Sequence, residues 1–149
     1  MARRQDAEQS RRAGRGGYRK TGSWPILDPA SASTDEVLSL LERSDIIRYE
    51  VAPAGTNYTF YTLMSAEAGQ RFVAIYKPRQ GENPLWDFPH GTLYRREHAA
   101  YVASRYLGWP RIPPTTVRDG PFGIGMVQLF VATEKQWDFS ELRRRHRDE

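Results

Sequence analysis

Apolar residues recur along this chain with two different periods, and the change between them marks out most of the elements. Val37, Leu38, Leu40 and Leu41 supply one apolar side of a short helix, which Thr34 can cap and whose first turn suits Asp35 and Glu36. From Ile46 the period shortens. Ile46 to Val51 reads as a strand, Pro53-Ala54-Gly55-Thr56-Asn57 as a turn of small residues, and Tyr58 to Met64 as a second strand. Glu67, Ala68 and Gly69 form the next turn, and Phe72 to Lys77 a third strand that Pro78 stops. Two prolines and two glycines make residues 79 to 91 a loop, which contains Pro84-Leu85-Trp86-Asp87-Phe88-Pro89.

Thr92 to Leu107 is the longest helical stretch, with Thr92 as its cap and Gly108 as its stop. Thr115 to Arg118 and Met126 to Val131 then read as a last strand pair across Asp119-Gly120-Pro121-Phe122-Gly123. The expected fold class is α+β: a mainly antiparallel five-stranded sheet, one long helix packed on it, and a short helix before it.

Two charges fall where the pattern is otherwise apolar. Alternation puts Lys77 on the face of Val73 and Ile75, while Phe72, Ala74 and Tyr76 take the other face, as in a central strand. On the long helix, about 100° per residue groups Leu93, Ala100, Tyr101, Ser104 and Leu107, and Glu97 falls within that stripe. A carboxylate on a core-facing stripe requires a partner, and Lys77 is the natural one. The pair is compatible with a purely structural role. The order of the parts adds a functional reading: a small-residue turn, a strand lysine, a helix glutamate and a further strand pair follow one another as in kinases.

Composition narrows the possibilities. There is no cysteine among the 149 residues, which excludes disulfides, thiolate metal sites and a cysteine nucleophile. The first 34 residues hold seven Lys/Arg and three Asp/Glu, so the whole net charge of +4 lies in that stretch and the rest balances to zero. A pI of 9.6 therefore does not signal a basic nucleic-acid-binding face on the folded part. Residues 1 to 34, with isolated Trp24, Ile26 and Leu27, are expected to be a disordered Arg-rich tail. No apolar run approaches the ~20 residues of a membrane span, and the N-terminus lacks the apolar core of a secretory signal, so a cytoplasmic location is expected.

Three stretches carry a family resemblance. Ala74-Ile75-Tyr76-Lys77-Pro78-Arg79, Pro84-Leu85-Trp86-Asp87-Phe88-Pro89 and Gly91-Thr92-Leu93-Tyr94-Arg95-Arg96-Glu97 resemble an actinobacterial group of kinase-like proteins. That group is related to phosphatidylinositol 3- and 4-kinases and shares the Lys-Pro strand end with HipA-like kinases. Pro113-Pro114-Thr115, Arg118 to Gly123 and Met126 to Val131 continue the match, which runs from about Leu38 to Val131.

The resemblance implies a kinase-like N-lobe over residues 35 to 133 that binds ATP with magnesium. Lys77 would contact the phosphates, Glu97 would orient it, and the Gly55-Thr56-Asn57-Tyr58 turn would lie over them. Phe130, Val131 and Ala132 would be the hinge that bonds the base.

Phosphoryl transfer also needs metal ligands and a group that positions the acceptor. About sixteen residues follow Thr133, and residues 134 to 149 read as a charged, helical start of a missing C-lobe. His146-Arg147-Asp148 has the letters of a kinase catalytic loop but no following asparagine and sits in a charged run. His90, His98 and His146 show no metal-ligand spacing. The expectation is thus a truncated nucleotide-binding lobe, inactive alone and without protein metal ligands. It would associate with a separate helical C-lobe or with itself through the exposed lobe surface. The alternative is a non-catalytic, pseudokinase-like interaction module.

Overall fold

The computed structural model describes residues 24–52, 57–109 and 112–132. Most of the expected tail and the expected helix over 134–149 lie outside these residues. The elements run in order as α1 (Thr34–Arg43), β1 (Asp45–Val51), β2 (Phe60–Ser65), β3 (Arg71–Pro78), α2 (Leu93–Tyr106), β4 (Thr115–Gly120) and β5 (Gly123–Leu129). Short 3-10 turns at Pro29–Ser31 and Arg79–Gly81 precede α1 and follow β3. The strands form one sheet in the order β1-β2-β3-β5-β4, each neighbour antiparallel. The α+β class and the five-stranded sheet are as expected, and β3 is the central strand.

Each face of the sheet has its own apolar cluster. On one face Phe60, Met64, Phe72, Ala74, Tyr76, Val127 and Leu129 pack with Val37 and Leu41 of α1 and with Leu27. On the other, Leu63 and Val73 pack with Trp24. Because Trp24 and Leu27 are buried on opposite faces, the segment between them straddles the sheet. For residues 24 to 34 the expectation of a tail is corrected here. Trp24 and Leu27 do not need to bury one another, because the sheet supplies the apolar surface for each.

Helix ends follow from particular hydrogen bonds. Ser33, not Thr34, caps α1: the Glu36 N–H donates to its hydroxyl, and its own N–H donates back to the Glu36 carboxylate at 2.7 Å. Threonine one residue later is already helical. At the other end, the Arg118 guanidinium donates to the carbonyls of Leu41 and Ser44, which fastens α1 to β4. Helix α2 ends in a Schellman arrangement. Gly108 takes φ +68°, its N–H donates to the Arg105 carbonyl, and the Trp109 N–H donates to that of Ser104. An Arg105–Asp35 ion pair at 2.7 Å ties the two helices together.

Three strand boundaries differ from expectation. β2 begins at Phe60, since the Tyr58 N–H turns away to the Gly81 carbonyl. Pro78 does not stop β3 but stays in register opposite Gly125. β4 runs on to Gly120 and β5 begins at Gly123 and ends at Leu129, leaving a two-residue turn at Pro121-Phe122. The Tyr76 hydroxyl pins that turn by donating to the Gly123 carbonyl and accepting from the Phe122 N–H. Burial pushes this phenol's pKa up, which keeps it a donor.

A side chain at position 125 would place Cβ 2.4 Å from the Lys77 carbonyl oxygen and 2.7 Å from the Pro78 Cα. Only glycine lets β5 lie this close to the end of β3. Gly125→Ala should therefore cost about 1–3 kcal/mol of stability, read from the denaturant midpoint.

Hydrogen bonds from the Ser33 hydroxyl and backbone N–H hold Glu36 below the ordinary carboxylate pKa. A depressed carboxylate stabilises the fold above its unfolded pKa, and the contribution is lost as pH falls through the folded one. Glu36→Gln should thus have a lower urea midpoint than wild type at neutral pH, and the two midpoints should converge in acid.

Candidate functional site

The expected meeting of Lys77 and Glu97 is made. The Lys77 ammonium, at the end of β3, donates to both Glu97 carboxylate oxygens at 3.0 and 2.8 Å. The side chains are 32% and 37% exposed. A pair so open to solvent contributes only about 1 kcal/mol or less to stability. An ammonium has three N–H donors and Glu97 accepts two bonds from it, so the pair orients the lysine without exhausting it.

The helix that carries Glu97 buries Tyr101 and Ser104 of the expected stripe, with Tyr94 added at its start. Glu97 is half-buried on the same side, and Ala100 and Leu107 are exposed. The start of α2 is set by Glu82, whose carboxylate accepts from the Tyr94 N–H at 2.7 Å. The expected cap at Thr92 is not formed: its hydroxyl donates instead to the Pro89 carbonyl. Phe88 takes the Arg96 guanidinium over its ring at 3.8 Å, so this part of the loop packs on the helix. Trp86 does not, being 97% exposed.

Beside the ion pair lies a half-buried strip of sheet. Ile75 stands in register between Tyr61 on β2 and Gln128 on β5, and all three are half-buried. Lys77 closes this strip at one end. At the other, Val73 stands opposite Leu63, with Trp24 and Phe130 packed on them from the same face. Val73 and Lys77 are four residues apart on one face, roughly 13 Å at the usual strand rise.

The remaining candidates fall as follows. Gly55 and Thr56 lie outside the described residues. Asn57 uses its side-chain oxygen to accept from the Asn83 N–H at 2.7 Å, and the Tyr58 N–H is committed to the Gly81 carbonyl. The root of the turn is therefore braced against the chain after β3, and the Tyr58 N–H is withdrawn from any anion nest. Of the hinge residues, Phe130 follows the end of β5 and donates its N–H to the Val73 carbonyl at 3.3 Å. Val131 and Ala132 are exposed.

Among the described residues no group of three or more His, Asp or Glu side chains could hold a metal ion. No helix among them is long and apolar enough to cross a membrane.

Trp24, Tyr61 and Glu82 belong to this region and were not found by sequence reasoning. A lone tryptophan in a polar stretch was the available signal for Trp24, since so large an apolar surface is costly to leave in water. Glu82 had none, because a cap twelve residues from its helix N–H leaves no local pattern.

Comparison with known proteins finds "Protein Rv2133c" of Mycobacterium tuberculosis (strain ATCC 25618 / H37Rv), 52% identical over 79 residues. The match covers 52% of this chain and 28% of that protein, so the chain spans well under two thirds of the relative's length. No protein-family model matches the chain, and no solved structure does.

Glu82→Ala would leave the Tyr94 N–H without its acceptor. The loss should be about 1 kcal/mol, as for other lost helix caps. Amide exchange should rise in the first turn of α2 and not in α1.

Proposed function

We propose that this chain is the nucleotide-binding small lobe of a kinase-like phosphotransferase. The observation that carries the reading is the two-oxygen contact of Glu97 with the Lys77 ammonium, held half-exposed at the end of a half-buried strip of sheet. A lysine on the third strand held by a helix glutamate is the arrangement with which protein kinases meet ATP phosphates. The strip beside it offers an apolar surface for the base and sugar, and the exposed Val131 and Ala132 stand past its far end. ATP would bind with magnesium carried on its phosphates. Acceptor positioning and metal ligation would come from a helical lobe outside the described residues. Part of the support is proportional: most of the Mycobacterium tuberculosis relative lies beyond the matched segment.

A second reading has one specific observation behind it. The C-terminal end of α2 exposes Val102, Tyr106, Leu107 and Trp109, with Tyr106 at 90%. A pseudokinase-like interaction module would use such a surface for a partner and would bind no nucleotide.

Titration of labelled ATP with magnesium separates the two. Wild type should bind, and Lys77→Ala should bind at least about tenfold more weakly, the loss of one charge-assisted phosphate contact. Glu97→Gln should weaken binding while moving the unfolding midpoint little. Equal binding by wild type and Lys77→Ala would remove the assigned role, and no binding by either would favour the interaction module.

A further inference from the structure

We propose that the open edge of β1 is a homodimer contact. Two copies of this chain pair their β1 strands antiparallel about a twofold axis at Tyr49, with Arg48 of each opposite Glu50 of the other. The proposal is independent of the nucleotide reading, because no residue of β1 belongs to that site.

β1 is the outer strand on one side of the sheet, and among the described residues only β2 pairs with it. Both helices pack against β4, the outer strand on the other side, so the two edges differ. The Ala52 N–H donates to the Thr59 carbonyl at 2.8 Å, next in register to the Val51–Phe60 pair. Antiparallel bonding alternates along a strand, so Arg48 and Glu50 direct their backbone groups to β2, while Tyr49 and Val51 turn theirs to the open side. The side chains there are apolar and exposed: Ile47 by 48%, Tyr49 by 45% and Val51 by 39%. Tyr49 is nonetheless held in place, edge to face with Phe60 at 5.7 Å and with Phe122 at 5.2 Å. An edge with unused N–H and C=O groups and apolar side chains is a template for another strand.

The residues of the edge select a second copy as that strand. Outward-facing backbone groups must meet outward-facing ones, so a twofold axis passes through a residue and not between two. An axis at Arg48 would set Arg48 against Arg48, and one at Glu50 would set Glu50 against Glu50, where like charges repel. An axis at Tyr49 sets Arg48 against Glu50 twice and Ile47 against Val51 twice. Tyr49 then exchanges two N–H···O=C bonds with Tyr49 of the second copy. The Arg48–Glu50 pairs fall at the non-hydrogen-bonded positions of the new ladder, where side chains approach most closely. Glu50 also lacks a donor. Its Oε2 is buried without a hydrogen-bond partner among the described residues, and Arg48 of the same strand lies 3.5 Å from the other oxygen. A guanidinium from the second copy complements it. The register shift between Ile46 and Arg48 ends the regular stretch, so the ladder is short and a micromolar or weaker dimer is expected. A twofold pairing through one edge, with helices packed on the other, closes at two copies.

Sedimentation velocity on the full chain, over roughly 1–300 μM, tests the pairing. Wild type should pass from monomer to dimer across this range. Arg48→Glu sets Glu against Glu at both pairs and should weaken the dimer at least about tenfold, whereas the double swap Arg48→Glu/Glu50→Arg should restore it. If either swap variant does not fold, Ile47→Lys serves instead. It changes only an exposed side chain, places a lysine on the edge, and should likewise weaken the dimer about tenfold. A wild type that stays monomeric throughout would leave the edge to a strand of another protein and overturn the proposal. So would Arg48→Glu or Ile47→Lys associating as wild type does, or a folded double swap that stays monomeric.

Discussion

A lysine ending a strand that is buried on both sides has few places to go, and much of this fold is arranged around where it goes. Phe72, Ala74 and Tyr76 commit β3 to one core and Val73 to the other, so Lys77 emerges at the strand's end on a fixed face. Glu97 meets it, but a half-exposed pair is too weak to dictate the placement of a helix. The direction of cause is the reverse. Glu82 caps α2 at its start, Gly108 ends it, and Tyr94, Tyr101 and Ser104 bury one side of it, so Glu97 is delivered to Lys77 by capping and packing contacts. Gly125 completes the arrangement by letting β5 run against the strand end that bears the lysine. An ion pair held by its surroundings, and not needed to hold them, is free to reorganise, as the proposed phosphate contact would require.

The same logic extends to the segment before α1. Its two apolar side chains sit three residues apart on opposite faces, which makes it a clasp across the sheet and not a tail. Leu27 serves the face that α1 covers. Trp24 serves the face that carries Lys77, where it packs at the far end of the half-buried strip. The sheet is thereby asymmetric: α1 packs one face, while the other is shared between Trp24 with Phe130 and the helix α2, with Ile75 left half-buried.

Much of this was legible in the chain, for identifiable reasons. The five strands could be read because alternation is local, and the central place of β3 because it is apolar on both sides. The Lys77–Glu97 pairing was legible because both charges interrupt an apolar pattern, and each made the other necessary. What escaped reading was set by distant contacts. The caps of α1 and α2 depend on Ser33 and Glu82, the second reached across a loop, where the local pattern favoured the threonines at 34 and 92. On α2 the stripe was legible at Tyr101 and Ser104, but Ala100 and Leu107 look like core residues by type and are exposed, while Tyr94 is buried. Trp24 was read as part of a tail because its partners lie about forty and fifty residues away on β2 and β3.

On the proposed reading the site is one-sided, and this decides which chemistry the described residues can supply. They offer an oriented cation and, beside it, the half-buried Ile75 and Tyr61, which are means of binding and placing a nucleotide. They do not offer the carboxylate or amide metal ligands that phosphoryl transfer uses, since no such group of side chains is assembled among them. A ligand lying on one face of a sheet keeps its other side in water, where hydrogen bonds and charge pairs are worth least. Affinity on this surface alone should therefore be low, because the Lys77–phosphate contact is itself a charge pair open to water. Covering the open side would strengthen every polar contact to the nucleotide at once, by lowering the local dielectric. For such a lobe, closure by a second surface and the onset of catalysis would be the same event.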